Sequence, residues 1–218
     1  KDTLSIAKAY SYLGDYYGSQ GVSDSAFYHY FKTEKIYLKQ NDNLNLAKTR
    51  LNKALLQFNE SDFSGSEISA LKALRVLKGE KADDTVYELY NLLGTVYNEL
   101  GEFDKAIEYH KKALALLEES PTPVEFQSKA TSMNNLGLVY LNLGQFQKAI
   151  PYFEKGLEQK NDLILYKPFV YGMLLNNLGY SRFKLKNLNG IPELFYESLK
   201  VRDSLKLTIG IIATKLNI

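Results

Sequence analysis

His29 and His110 are the two side chains of this 218-residue chain whose ordinary ionisation suits proton transfer or metal ligation near neutral pH. Such chemistry needs company: a second ligand, or a carboxylate that orients the ring. Neither histidine has a second histidine or a carboxylate constellation with it, so both read as packing or surface imidazoles. Cysteine is absent, which removes disulfides, cysteine-based zinc sites and thiol nucleophiles together. No glycine-rich phosphate loop, nucleophile elbow or metal motif occurs. Asp83–Asp84 and Glu118–Glu119 look like solvated helix ends, the first pair at the favourable end of a helix dipole. Asn59-Glu60-Ser61 matches a glycosylation sequon in form only. The expectation is a chain with no catalytic residues, no metal and no cofactor.

The elements that would carry any site repeat themselves. Tyr90–Leu116 reads YNLLGTVYNELGEFDKAIEYHKKALAL, and Asn134–Gln159 reads NNLGLVYLNLGQFQKAIPYFEKGLEQ. Aligned on Gly94 and Gly137, they share Leu93/Leu136, Tyr97/Tyr140, Leu100/Leu143, Gly101/Gly144, Phe103/Phe146, Ala106/Ala149 and Tyr109/Tyr152. A further copy aligns Gly179 and keeps Leu178 and Phe195, with Arg182 at the tyrosine position and Leu188 at the phenylalanine position. Upstream, Gly14, Tyr17, Gly21 and Ala26 fit the same frame, and a worn copy carries Ala54, Phe63, Ala70 and Ala73. Leu93, Val96, Tyr97 and Leu100 are spaced as one apolar stripe of a helix. Ala106, Tyr109 and Ala113 give the following helix its stripe. Gly94 and Ala106 are small where two helices must approach. Gly101-x-Phe103 breaks the first helix and sets an aromatic plug between the two.

This pattern resembles the tetratricopeptide repeat, a helix–turn–helix unit. The resemblance covers essentially the whole chain and implies an all-α fold, a right-handed α-α superhelix of about five helix pairs plus a terminal helix. The usual tryptophan is replaced by Tyr10, Tyr90, Met133 and Leu175, and the closing proline is missing. The period is 40 to 43 residues, against about 34 in the common form, as in kinesin light chains and many bacterial signalling proteins. The surplus lies in segments such as Leu116–Ser132 and Lys160–Met173, whose apolar residues predict longer helices. Repeats are expected near 2–40, 43–78, 83–118, 124–160 and 166–203. Their helices are placed near 2–19, 23–40, 43–58, 62–78, 83–100, 103–118, 124–143, 146–160, 166–186 and 189–203, and the single array spans 1–218. Residues 205–218, with Leu207, Ile209, Ile211, Ile212 and Leu216, begin a sixth repeat or form a capping helix. Pro121 and Pro123 fall between helices, while Pro151 and Pro192 fall in the tolerated first turn of second helices. The chain does not begin with Met and reads as a piece of a longer protein.

The resemblance also implies a site. In the family the first helices line a groove, and positions just before the leucine–glycine face into it. Here those positions repeat asparagine: Asn52, Asn91, Asn134, Asn135, Asn176 and Asn177. An amide both donates and accepts, so a row of them can pair with an extended peptide backbone; equally, it can bond the neighbouring helix. Thr95, Asn98, Tyr180 and Lys184 lie one turn on. Lys8 and Lys48 are candidates for gripping a terminal carboxylate, but no clear clamp assembles. The implied partner is a protein or peptide, with self-association, such as a homodimer, as the alternative. The net charge of +2 and the scatter of basic residues do not point to nucleic acid. No apolar run approaches a membrane span, so membrane attachment would come through a flanking segment. The phrasing of the first two repeats is similar to the sensory arrays of bacterial histidine kinases and helix-turn-helix regulators. In a sensor kinase the array would lie outside the cytoplasmic membrane; in a regulator, in the cytoplasm.

Overall fold

The computed structural model describes residues 2–119, 125–158 and 160–205. The expected helix at 205–217 and the Pro121–Pro123 connection therefore fall outside the described residues, apart from Leu205. The described residues form α-helices and turns, without a strand. In chain order the helices are α1 (Thr3–Ser19), α2 (Ser23–Gln40), α3 (Asn43–Asn59), α4 (Phe63–Val76), α5 (Asp83–Glu99), α6 (Phe103–Glu119), α7 (Glu125–Asn142), α8 (Phe146–Gly156), α9 (Lys160–Tyr166), α10 (Pro168–Lys184) and α11 (Ile191–Ser204). They group into two compact units, Lys1–Glu102 and Phe103–Ile218. In the first unit α1 packs on α2, α2 on α3, α3 on α4 and α4 on α5, and the first helices α1, α3 and α5 lie side by side. In the second, α6 packs on α7, α7 on α8, α8 on α10 and α10 on α11, with α7 beside α10.

The turn inside each repeat shows how the sequence forces this pairing. Seven residues after the small residue at each helix crossing, the backbone passes through the left-handed region. Gly21 (φ 71°), Ser61 (62°), Gly101 (76°), Gly144 (70°) and Lys186 (58°) all do so. Each turn closes with the same two bonds, a Schellman arrangement. In the α7–α8 turn the Gly144 N–H donates to the Leu141 carbonyl at 2.9 Å and the Gln145 N–H to the Tyr140 carbonyl at 2.8 Å. In the worn second copy the Ser61 N–H donates to the Phe58 carbonyl at 2.9 Å and the Asp62 N–H to the Gln57 carbonyl at 2.8 Å. Asp62 then caps α4, its carboxylate accepting from the Gly65 N–H at 2.9 Å, as Asp42 caps α3 through the Asn45 N–H.

The crossings repeat as well. A methyl group on Gly14 would come within 2.6 Å of the Tyr30 ring, and one on Gly179 within 2.8 Å of the Phe195 ring. One on Gly137 would overlap Phe153. In each case the aromatic lies sixteen residues on, on the second helix. The second copy has Ala54 and Ala70 at the two positions, both fully buried.

Two expectations are corrected. The surplus between the fourth and fifth copies is not an extension of α8 to residue 160. α8 stops at Gly156, where a side chain would meet Leu174 at 2.8 Å, and a separate short helix, α9, fills the gap. Pro168 opens α10 and keeps Lys167 before it out of the helical conformation (φ −138°, ψ 52°), so α9 and α10 do not merge. The fully buried Leu163 anchors α9, and a shared carboxylate pins it: Lys160 Nζ and the Tyr171 hydroxyl both donate to Glu197 Oε1, at 2.7 and 2.6 Å. Those hydrogen bonds hold the Lys160 pKa above its ordinary value. Pro151 is also not in the first turn; it lies inside α8, where its missing N–H leaves the Gln147 carbonyl without a helical partner. Both residues are exposed, so that carbonyl is open to solvent.

A non-glycine residue held in the left-handed region costs about 1 kcal/mol. Ser61→Gly and Lys186→Gly are therefore expected to stabilise the fold by about that much each, and Gly144→Ala to destabilise it by about as much. Urea denaturation of the three variants checks the signs.

Candidate functional site

The asparagines that precede each leucine–glycine fall into two registers with different surroundings. Three residues before the crossing glycine, Asn134 and Asn176 are buried and Asn91 is half-buried. Two residues before the small crossing residue, Asn52, Asn135 and Asn177 are half-buried. The second register reaches solvent and the neighbouring first helix at once. In the first unit Asn52 Nδ2 donates to Asp15 Oδ1 on α1 at 2.9 Å, and the Tyr30 hydroxyl donates to the same oxygen at 2.8 Å. In the second unit Asn177 Nδ2 donates to Asn134 Oδ1 at 3.1 Å, and Asn134 Nδ2 reaches Asn135 Oδ1 at 3.5 Å. In each unit, then, an amide on one first helix bonds the first helix before it.

Thr95 is half-buried and donates to the carbonyl of Asn91 at 3.0 Å, a bond within its own helix that Ser181 repeats with Asn177 at 2.8 Å. Asn98 is buried near the end of α5. Tyr180 meets the edge of the Phe146 ring, 6.3 Å between centroids, and Lys184 lies with its ammonium 5.1 Å from the Tyr180 ring centre. Beside them opens a cleft of about 530 Å³ lined by Gly144, Gln145, Phe146, Gln147, Lys148 and Leu185. Phe146 thus reaches the first helix of the next repeat as well as filling the turn of its own. Sequence reasoning placed an aromatic in that turn but not its contact across to Tyr180. The contact joins positions 34 residues apart, and only the stacking of α10 on α8 brings them together.

Lys8 and Lys48 are exposed on α1 and α3. Burial and the nearby Asp84 raise the Glu88 pKa, and Lys48 pulls it back down. Lys48 therefore already faces an acidic neighbour.

The two imidazoles have unlike settings. His29 is stacked on Tyr17 (5.4 Å, 1° between planes), lies 5.7 Å from Tyr10, and meets Tyr28 edge-on. His110 is almost fully buried, sixteen residues after Gly94, the position that Phe153 and Phe195 hold in later copies. Burial pushes its pKa down to about 4. Among the described residues no group of three His, Asp or Glu side chains could hold a metal ion, and no helix is long and apolar enough to cross a membrane.

Paired helices, a recurring left-handed turn and a small-on-aromatic crossing define a helical solenoid protein. Residues 85–162 match the tetratricopeptide repeat family, and over that stretch the chain is a tetratricopeptide repeat protein. Solved structures share the fold along the rest. Aspartyl phosphate phosphatase F from Bacillus subtilis superposes with a TM-score of 0.83 at 18% identity, over 99% of this chain and 55% of that one. MamA gives 0.62 at 22% identity over 91% and 92%. YrrB, described as a TPR protein with an unusual peptide-binding site, gives 0.58 at 16% identity over 99% and 98%. No curated protein sequence matches the chain.

The Asn177–Asn134 bond should show a coupling of about 1 kcal/mol in a double-mutant cycle of alanine variants, read by urea denaturation. His110 gives a pH signature. Its folded pKa lies below the unfolded value of about 6.5, so the unfolded chain binds more protons between the two. The stability tied to its neutral form is complete above pH 6.5 and is lost as pH falls toward 4, on the order of 3 kcal/mol. His110→Phe, the residue type of the later copies, should fold and should flatten the stability curve across that window.

Proposed function

We propose that this chain is a non-catalytic scaffold that holds an extended protein or peptide segment against its first helices. The observation that carries the reading is the half-buried amide register, Asn52 in one unit and Asn135 with Asn177 in the other. Each of Asn52 and Asn177 commits one N–H to the helix before it, which leaves an oriented carbonyl oxygen and a second N–H to present to a ligand backbone. The Phe146, Tyr180 and Lys184 corner, with its adjoining cleft, adds an apolar seat with a cation at its rim. Asn91 and Thr95 extend the polar face in the first unit. Asn98, Asn134 and Asn176, being buried, support the face from behind. The peptide-binding site for which YrrB is described supports the same use of this fold.

The signalling part of the proposal is that the scaffold is the input region of a bacterial histidine kinase or transcriptional regulator. Its support is the resemblance of the first two repeats to such sensory arrays. The second reading, a self-association module with no groove ligand, draws on the exposed apolar side chains of α1, Tyr12 and Tyr16 among them. Light scattering across a concentration series separates the two, since a monomer throughout defeats self-association.

Peptides selected from a displayed library and measured by calorimetry test the amide register. Asn135→Ala combined with Asn177→Ala should weaken the best peptide by tenfold or more, with helix content by circular dichroism unchanged. Unaltered affinity would sink the assignment.

A further inference from the structure

The basic residues that look scattered along the sequence are gathered by the fold of the first unit. On α2, Tyr28, Phe31, Lys32, Lys35, Leu38 and Lys39 fall within about 120° of arc at 3.6 residues per turn. Forty residues on, Ile68, Lys72 and Arg75 on α4, with Lys78 just past its end, occupy the same register. α2 and α4 are the second helices that flank α3, and these arcs are the sides turned away from it: Tyr28, Phe31, Leu38 and Ile68 are each about half exposed, at 49–55%. Lys32 reaches over the Tyr28 ring (5.2 Å) and Lys35 over the Phe31 ring (4.4 Å), so ammonium groups and ring faces stand at one level.

Most acids of the same unit are held elsewhere; Asp24, one turn before Tyr28, is the exposed carboxylate in the same arc of α2. Residues 1–102 carry 12 Lys and Arg against 14 Asp and Glu, yet none of these six cations forms an ion pair among the described residues. Glu34, the carboxylate within the cationic half of α2, is drawn toward α3 by Lys53 at 3.5 Å and Arg50 at 3.9 Å. Glu67 accepts the Tyr97 hydroxyl of α5 at 2.7 Å, Glu60 accepts the Ser23 hydroxyl, Glu80 accepts the Asn43 amide, and Asp62 caps α4. A unit with slight net negative charge thus shows a face of six unpaired cations with apolar tips between them and one carboxylate, Asp24, at its end.

We propose that this α2–α4 face docks on an anionic lipid bilayer, with Tyr28, Phe31, Leu38 and Ile68 at headgroup depth and the six cations on lipid phosphates. The apolar groups stand on the crests of the two helices, level with the charges, as an interfacial surface requires. An acidic peptide would instead need its apolar anchors received in a groove. The face belongs to the second helices, so it is separate from the amide register and leaves it open.

Sedimentation of the full chain with vesicles tests this. Binding is expected to phosphatidylcholine vesicles containing 25% phosphatidylglycerol at 0.1 M salt, weakening at 0.5 M salt, and not to phosphatidylcholine alone. Each cation near such a surface contributes about fivefold in partition. Lys32→Glu, Lys35→Glu, Lys72→Glu and Arg75→Glu together should therefore cost at least about a hundredfold. A control with the same charge change, Lys111→Glu, Lys155→Glu, Lys167→Glu and Lys186→Glu in the second unit, should bind as the parent does, both variants keeping their helix content. No partition to anionic vesicles overturns the proposal. So does equal loss in the control, or tighter binding to polyglutamate or to a single-stranded oligonucleotide than to vesicles.

Discussion

An interval of seven residues governs this chain. From each small crossing residue to the left-handed turn the count is the same in all five copies, from Gly14 to Gly21 and from Gly179 to Lys186. The interval works because both ends are sterically strict. In three copies the crossing has no room for even a methyl group, since an aromatic ring from the second helix lies against it, and in the second copy it holds only the methyl of Ala54. The turn requires a positive φ seven residues later, so that the second helix returns over that same crossing. With both ends fixed, the hairpin has one geometry and its remaining apolar stripe has one direction. That stripe is then covered by the next hairpin, as the packing of α2 on α3 and of α8 on α10 shows. Stability in such a stack comes from nearest neighbours.

This constraint explains which parts of the architecture can be read from the sequence. The helix pairs and their order follow from the spacing of leucine, glycine and tyrosine, because packing at the crossing acts on residue type directly. The second copy looks worn yet keeps the same turn, since Ser61 adopts the left-handed conformation when two hydrogen bonds and the Asp62 cap compensate it. Nothing about serine or lysine in isolation announces that geometry. The α8–α9 break is illegible for a related reason. Lys160 to Tyr166 has helical character, and only the tight Gly156–Leu174 approach and the Glu197 anchor set it apart from α8.

The site is legible in kind and not in detail. A run of asparagines before the leucine–glycine signals a polar face on the first helices. Two neighbouring asparagines on a helix, however, point about 100° apart. The sequence cannot say which of Asn134 and Asn135 is buried; the structure shows that it is Asn134. The cationic face of α2 and α4 is invisible for a different reason. Its members recur at three- and four-residue steps and again after forty residues, which becomes a pattern only when the helices are wound and set on either side of α3.

The amides have one task the structure shows and one that is proposed, and their chemistry permits both. A carboxamide has two donor hydrogens and an acceptor oxygen with two lone pairs, more than one neighbour can satisfy. Asn134 is buried and must be satisfied within the fold, which Asn177 and Asn135 accomplish at 3.1 and 3.5 Å. Bonding of this kind fixes the rotamer of the half-buried members, so that their remaining acceptors are oriented before any ligand arrives. A ligand meeting such a surface loses less conformational entropy in ordering it than it would on a row of freely rotating side chains. The inter-helix bond and the proposed recognition role are therefore compatible readings of the same asparagines: the first supplies the rigidity on which the second would depend.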